Sequence, residues 1–419
     1  MSAERLKACG VASLDGFDYG QFLRDKGVTT DKYRRTLSSL PLGPEFLTFL
    51  YRSSAAFVGE VRRYAEELQG HRLMLSVNSS AAHFKSLVIA PQLDYFCGEV
   101  HHGGDKGGVP APFAIWNFKV VDALGKRQAS TGSGGDWAYI DAHKKPGLVR
   151  TWIAQDYAFG HQLMCPHRQW AYTKKKGTHW YQSQPADFAH LYRWVRRNAA
   201  LFDGYDAAAT VALLYSNPAF RRNRRGAMHA AYWLAEHNVP FHVVLAGDDW
   251  LDATLTAERL APYAAIVVAE PTHLDGEQLA ALQAAKQKIV AWDSRRKAID
   301  RKKLFALLPR QIAIAGADRI MAVPRTKPGV PPVLHLLNRN YDKKKDTVAP
   351  AADLTVTLAN SLFAGSTFAK ATLHAPPPTL DPASPGASDP VALDVKADAR
   401  STTLRIPRLG LWAIVTLGK

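Results

Sequence analysis

The chain has 419 residues, and 47% of them are hydrophobic, so it can bury substantial cores and is not a disordered chain. Its length predicts two or three domains. Three Cys residues cannot build a disulfide framework, and their positions at 9, 97 and 165 lack the paired spacing of a zinc site. We therefore expect no metal and no other cofactor.

No run of about eighteen uncharged apolar residues is present, which argues against a membrane partner. The N-terminal stretch MSAERLKACGVASLDG lacks the apolar core of a signal peptide. These two features predict a cytoplasmic protein.

The excess of basic residues, 53 Lys and Arg against 37 Asp and Glu, gives a formal net charge of +16. They gather in clumps, each in a turn-like stretch between apolar segments, at 144–145, 174–176, 221–225, 301–303 and 343–345. Nucleic-acid binding requires a contiguous basic face with interleaved aromatic residues, so we do not predict a nucleic-acid partner. A basic surface can also steer acidic sugars to an enzyme.

The first region, residues 1–205, alternates helical and strand-like segments. Helical spacing of apolar residues covers 45–68, 113–124, 148–159 and 187–202. Apolar runs predict four strands, each followed by polar residues, at 72–77, 93–97, 128–131 and 162–165. A (β/α)₈ barrel presents polar residues in this way, but it needs eight strands and about 250 residues. The sequence therefore predicts a partial barrel of about four β-α units.

The two later regions have different patterns. Residues 206–330 contain short apolar runs separated by helices, which predicts a flavodoxin-like doubly wound domain. Residues 331–419 contain alternating strands and a loop rich in Pro, Ser and Asp at 375–390, which predicts a small antiparallel β-sandwich. The expected fold class is α/β, with these three parts in order.

This order of domains resembles that of family 42 β-galactosidases, in which a barrel precedes a trimerisation domain and a small sandwich. The amino-acid sequence also resembles that of hypothetical glycosyl hydrolases. The resemblance lies in four segments, YFCGEVHH (95–102), GLVRTWIAQDYAFGHQLMCPHRQW (147–170), RWVRRNAALFDGYDAAATVALLYS (193–216) and FHVVLAGDDWL (241–251). The resemblance implies that the four strands are barrel strands five to eight, with the others upstream of Met1. It also implies a homo-oligomer built by residues 206–330.

Glu99 is the first candidate for catalysis because it closes the second predicted strand. Glycoside cleavage uses two carboxyl groups about 5–10 Å apart. Apolar neighbours at 95–97 would raise the pKa of Glu99, as a general acid requires. Asp136, after the third strand, is the candidate partner. A structural role for Glu99 and a helix-capping or turn role for Asp136 remain open.

Other polar and aromatic residues at the strand ends could bind a sugar through hydrogen bonds and flat ring faces. The predicted binding residues are Asn78, His101, His102, Trp137, His167, Arg168, Gln169 and Trp170, with Tyr139, Trp180 and Tyr181 extending the same surface. For each ring, packing in the core is the alternative. His101, His102 and Asp105 are neighbours, but adjacent His residues do not easily share one ion, so we predict no metal site.

Two hypotheses follow for the function. The first is a glycoside hydrolase-like enzyme with Glu99 as general acid/base. The second is a non-catalytic carbohydrate-binding or oligomeric structural protein derived from a truncated glycosidase. A glutamine amidotransferase is excluded, because its chemistry needs a Cys nucleophile and residues 206–330 contain no Cys.

Overall fold

The computed structural model describes residues 3–29, 31, 37–81, 83–379 and 389–419. The protein is a mixed α/β chain with several sheets. It divides into two compact units. The smaller unit comprises Met1–Leu75, Lys85–Leu93 and Asp249–Leu251, and the larger unit contains the remaining residues.

The smaller unit is helical, with α1 (Ala3–Ala8), α2 (Tyr19–Asp25) and α3 (Gly43–Gln69), while α4 (Phe84–Leu87) spans the border between the units. Helix α3 confirms the helix predicted at 45–68 and ends at Gly70, whose φ of 70° stops it. The first turn of α3 packs on a small core, where Phe46 stacks on Tyr19 with ring centroids 4.1 Å apart. Farther along, Phe57, Tyr64 and Leu68 are exposed.

The strand predicted at 72–77 is wrong, since these described residues form no strand. Side chains of α3 bond to the backbone there: the Glu66 carboxylate accepts from the Leu73 N–H at 3.2 Å, and Arg62 Nη2 donates to the Leu73 carbonyl at 3.3 Å. A strand would have needed those groups for its own ladder. Asn78 alone makes a parallel bridge, to Cys97.

The larger unit begins with a parallel sheet of three strands in the order β1 (Phe96–Val100), β2 (Gln128–Gly132) and β3 (Gln162–Leu163). Helix α5 (Phe113–Ala123) joins β1 to β2, and α6 (Gly134–His143) and α7 (Pro146–Ala158) join β2 to β3. Helices α5 and α7 are buried over most of their surfaces because they lie between layers. A hairpin, β4 (Arg168–Thr173) and β5 (Gly177–Gln182), and helix α8 (Pro185–Arg197) follow.

A second sheet contains five strands. The four that come first along the chain are parallel to one another. Three of these parallel strands are buried along their apolar runs, as expected of strands covered on both faces, while the fourth alternates buried and more exposed residues. From one edge of the sheet to the other, the strands are the short antiparallel β11 (Ala298–Ile299), β10 (Ile289–Asp293), β9 (Ala265–Ala269), β7 (Val211–Ser216) and β8 (Phe241–Ala246). The helices are α9 (Asn217–Arg221), α10 (Gly226–Glu236), α11 (Ala257–Leu260), α12 (Gly276–Ala284) and α13 (Arg301–Leu307).

Two antiparallel sheets share one apolar core in the C-terminal part. One has four strands, β12 (Ile312–Ala315), β17 (Ala351–Ala359), β21 (Ser401–Leu409) and β20 (Asp394–Ala397). The other has six, in the order β19 (Val391–Ala392), β18 (Lys370–His374), β22 (Trp412–Gly418), β14 (Val333–Asn338), β13 (Ile320–Thr326) and β6 (Asp206–Ala207). A separate short hairpin joins β15 (Tyr341–Asp342) to β16 (Thr347–Val348). Three of the paired strands, β6, β12 and β13, lie upstream of residue 331, where we expected this region to begin.

Among the described residues, no helix combines the length and apolar character needed to cross a membrane.

Candidate functional site

The carboxyl ends of β1 and β2 bring several of the predicted site residues together. The register places Glu99 opposite Thr131 and Val100 opposite Gly132. Asn78 reaches the same edge because Gly98 has no side chain: a Cβ on Gly98 would lie 2.9 Å from the Asn78 Oδ1. Parallel strands present their carboxyl ends at one edge, which is where α/β proteins commonly bind ligands.

Glu99 is an accessible carboxylate at the end of β1. Its neighbours Gly98 and Val100 are buried, while Glu99 lies on the opposite face of β1 and is exposed. Protein atoms around the carboxyl group nevertheless raise its pKa, mainly by desolvation and secondly through the negative charge of Asp136. Glu99 therefore has the two properties of a general acid, accessibility and a raised pKa.

Asp136 has the opposite environment and is 0% exposed. It forms a capping box with Ser133 at the start of α6, so the capping role left open by the sequence is present. Its Oδ2 accepts hydrogen bonds from the His102 N–H at 3.0 Å and the Ser133 hydroxyl at 2.8 Å, and its Oδ1 accepts from the Gly104 N–H at 2.6 Å. Burial opposes ionisation, but His101, His102 and these donors together lower the pKa of Asp136. A carboxylate without exposed surface is not placed to contact a sugar, which argues against the prediction that Asp136 is the catalytic partner of Glu99.

His102 is also fully buried, so the predicted contact with a sugar is incompatible with its position. Its Nδ1 lies 2.8 Å from the Val100 carbonyl, and its Nε2 lies 3.2 Å from Asp156 Oδ1. Burial lowers the pKa of His102, but the Asp156 carboxylate, the charge of Asp136 and the Val100 carbonyl together more than offset this, and the net shift is upward. Ser130 of β2 donates to the other oxygen of Asp156. This buried network ties β1, β2 and α7 together.

Sequence reasoning missed Asp156 and Ser130. The signal for Asp156 was a single carboxylate within a helix that is apolar almost all round. Such a residue is buried and must be paired.

His101 is half-buried and stacks on Phe113, with ring centroids 5.1 Å apart and planes 6° apart. Its two ring nitrogens face Asp136 at 3.3 Å and Asp105 at 3.6 Å. The ligand atoms of these three residues lie within 4.8 Å of one another. Because Asp136 already accepts several hydrogen bonds, we assign no metal to this cluster.

The hairpin β4–β5 presents aromatic rings to solvent at the same edge. The side chains of Trp170, Tyr172 and Trp180 are 37%, 46% and 51% exposed, and Trp170 and Trp180 are directly paired across the two strands. Arg168 lies over the Trp180 ring, with its guanidinium carbon 4.4 Å from the ring centroid. Large exposed rings that share one face of a hairpin are suited to stack on sugar rings.

Two contacts attach the hairpin to the strand ends. Thr131 of β2 donates a hydrogen bond to Gln169 Oε1 at 2.7 Å. The Trp170 ring lies over Gly134, where a Cβ would come within 2.3 Å of the ring. His167, just before β4, is exposed. The hairpin thus places Gln169 and Trp170 next to Thr131, the register partner of Glu99.

Trp137 and Tyr181 belong to the core and not to this exposed surface. Trp137 is 1% exposed, its Nε1 donates to Thr131 Oγ1 at 2.9 Å, and its ring stacks on Tyr181 with centroids 5.1 Å apart. The structure therefore corrects the prediction that Trp137 binds a sugar, and shows the packing alternative for both rings.

No protein-family model matches the chain. The chain is 25% identical over 437 residues to an α-agarase of Thalassotalea agarivorans and 24% identical over 435 residues to an α-agarase of Alteromonas agarilytica. Each match covers 99% of this chain, but 28% of the first relative and 29% of the second. The chain therefore spans less than a third of the length of either α-agarase.

Among solved structures, α-L-fucosidase isoenzyme 2 from Paenibacillus thiaminolyticus has a similar fold, with a TM-score of 0.62 at 11% sequence identity. The similarity covers 95% of this chain and 74% of the fucosidase. Together, these findings support a glycoside hydrolase-like protein. The specific likeness to family 42 stays a prediction.

Proposed function

We propose that this chain acts on or binds carbohydrate as a glycoside hydrolase-like protein, with Glu99 as general acid/base. One observation carries the proposal: Glu99 is an exposed carboxylate with a raised pKa at the carboxyl edge of a parallel sheet. Its register partner Thr131 donates a hydrogen bond to Gln169 of the β4–β5 hairpin, which carries the exposed aromatic rings. A carboxyl group that keeps its proton can donate it to the glycosidic oxygen as the bond to the anomeric carbon breaks.

In this proposal, Asp136 is a positioning residue. Its charge helps to raise the pKa of Glu99, and its oxygens hold the backbone of His102 and Gly104 at the end of β1. Glycoside cleavage also needs a second accessible carboxylate. Asp105, exposed beside His101 just after β1, is another accessible carboxylate near this edge, but we assign it no catalytic role.

The burial of Asp136 favours a second candidate function, which is carbohydrate binding without turnover. The exposed hairpin would then bind the sugar, and Glu99 would accept hydrogen bonds from sugar hydroxyl groups. The two relatives named α-agarase support agar-type galactan as the polysaccharide class for either function.

We also propose that the three-stranded sheet, the five-stranded sheet and the two antiparallel sheets correspond to a partial barrel, a flavodoxin-like domain and a small β-sandwich. The parallel order of β1, β2 and β3, with the Asn78 bridge beside β1, supports the first assignment. The order β10-β9-β7-β8 supports the second, and the shared core of the two antiparallel sheets supports the third. A homo-oligomer remains part of the proposal through the family 42 resemblance.

The test is an assay of the purified chain with agaro-oligosaccharides, measuring both binding and release of reducing sugar. For an enzyme, Glu99→Gln lowers sugar release by about 100-fold or more without loss of binding. The matched control is Glu277→Gln, at an exposed position of α12. Binding with no sugar release by the wild-type chain supports the second candidate. Equal turnover by wild type and Glu99→Gln contradicts the role of Glu99, and absence of both binding and turnover contradicts both functions.

A further inference from the structure

The five-stranded sheet has a point at which its strand order reverses. The chain runs from β7 to β8 on one side and then crosses back to β9 and β10 on the other side of β7. The carboxyl ends of β7 and β9 therefore diverge into loops that leave in opposite directions. In open parallel sheets, ligands bind in the crevice formed at this switch point.

A cavity of about 250 Å³ occupies this position. It lies at the ends of three strands, since Ser216 closes β7, Glu270 follows β9 and Ser294 follows β10. Its volume is sufficient for a small oxyanion or a single sugar ring. All of these residues belong to the larger unit.

Helix α10 begins at the wall of this cavity, and its first residue must be glycine. A Cβ on Gly226 would lie 2.7 Å from the Ala269 Cβ and 2.7 Å from the Ser294 hydroxyl. No side-chain hydrogen bond caps the first turn of α10. The N–H groups of that turn, and the positive end of the helix dipole, are therefore available to an anion.

The loops around the cavity are strongly basic. Two basic clusters from separate parts of the sequence lie at this end of the sheet. The segment from the end of α9 to the start of α10 carries Arg221, Arg222, Arg224 and Arg225, and the turn after β10 carries Arg295, Arg296 and Lys297. Arg224 and Arg225 line the cavity itself. His229 lines the cavity from α10. Burial, and secondly the positive charge of Lys297, lower the pKa of His229.

Most of the nearby acidic side chains have other partners. Asp248 accepts from Arg221 at 2.9 Å and from Asn217 at 2.7 Å. Asp293 accepts from the N–H groups of Arg295 and Arg296. Glu270 is the acidic residue among those lining the cavity, and it accepts from the Thr272 N–H at 3.0 Å. The cavity thus keeps an excess of positive charge.

We propose that this cavity is a binding site for a phosphate or sulfate group, either free or carried on a sugar. Arg224, Arg225 and the first turn of α10 would hold the anionic oxygens through charge-assisted hydrogen bonds. The site does not depend on Glu99, so it can exist whether or not the chain cleaves glycosides.

The test is isothermal titration calorimetry of the full chain at low salt, with inorganic phosphate, inorganic sulfate and galactose 6-sulfate as probes and galactose as a neutral control. We expect saturable binding of one anion per chain, which Arg224→Gln or Arg225→Gln weakens by about tenfold or more. Arg224 is exposed, so its replacement keeps the test valid should Arg225→Gln fail to fold. The control is Arg222→Gln, an exposed residue of the same loop that does not line the cavity.

The results separate the two sources of the anion. Tighter binding of galactose 6-sulfate than of sulfate, by about tenfold or more, identifies a sugar-borne group, whereas equal affinities identify the free ion. Either result supports the site. Absence of saturable anion binding, or equal losses in Arg222→Gln and Arg224→Gln, would overturn it, because the second outcome reflects only the overall charge.

Discussion

Two carboxylates at the edge of the first sheet have contrasting environments. Glu99 is exposed and its pKa is raised, while Asp136 is buried and its pKa is lowered by the groups that bond to it. The difference follows from hydrogen bonding: Asp136 accepts from several backbone and side-chain donors, whereas desolvation is the main influence on Glu99. Environments that separate two pKa values in this way also separate their chemical roles.

Asp136→Asn should destabilise the fold, because an amide nitrogen would face donors that now bond to an oxygen. We expect the free energy of unfolding to fall by about 2–4 kcal/mol, as measured by urea denaturation. Asp105→Asn is the control, since its side chain is partly exposed and lies 3.6 Å from His101. Normal stability combined with complete loss of sugar release would instead indicate that Asp136 is the catalytic partner of Glu99.

At the level of elements, the β4–β5 hairpin is the main addition to the predicted site. The residues at 166–170 were expected only as polar residues after a strand, yet RQWAYT and THWYQ alternate with period two on either side of the turn at 174–176. That alternation puts Ala171 and Tyr181 against the core and leaves Trp170, Tyr172 and Trp180 exposed. One face of the hairpin therefore adds to the core, while the other face forms an aromatic surface.

Trp180→Ala and Tyr172→Ala should weaken binding of agaro-oligosaccharides by about fivefold each, since one ring contact contributes about 1 kcal/mol. Thermal stability should change little because both rings are exposed. Affinity can be measured by calorimetry, with Tyr64→Ala on α3 as a matched exposed aromatic control. Equal affinities in all three variants and the wild type would show that the hairpin does not bind the sugar.

For the whole molecule, buried histidines connect stability to pH. His190 is 3% exposed; burial, and secondly the charge of Arg150, lower its pKa to about 4. His335 is fully buried, and its pKa is lowered well below the usual value by burial and by Arg325. His102 has the opposite shift, so its contribution is present below about pH 6.5 and is lost as the pH rises through its folded pKa.

We expect the free energy of unfolding to decrease as the pH falls from about 6.5 to about 4. Over this range the unfolded chain binds protons at the positions of His190 and His335, while the folded chain does not. His190 alone accounts for up to about 3 kcal/mol. Urea denaturation at several pH values measures the slope, which should be smaller in His190→Gln than in the wild type. The exposed His143 provides the control variant, His143→Gln, and identical slopes in both variants would contradict the role of His190.

Much of the fold could be predicted from the sequence wherever a local pattern decides the structure. The helical spacing at 45–68, the apolar runs of β7 to β10 and the placement of Glu99 at the end of a strand all follow from residue periodicity. The strand at 72–77 failed because side chains of the preceding helix, Arg62 and Glu66, bond to the backbone of Leu73, and periodicity does not show such contacts. The roles of His102 and Trp137 failed for a similar reason, since burial depends on which elements pack over them.

The sequence by itself determined the α/β class, the alternation of strands and helices and the candidate carboxylate Glu99, because these depend on periodicity and on residue chemistry. Only the tertiary structure decided which carboxylate is accessible, and it did so by surrounding Asp136 with donors from two segments, the loop after β1 and the start of α6. The same holds for charge: the basic residues at 221–225 and 295–297 form one surface only because β7 and β10 are parallel strands of one sheet. Distance along the chain does not predict distance in space, and burial, pKa and charge clustering all depend on the latter.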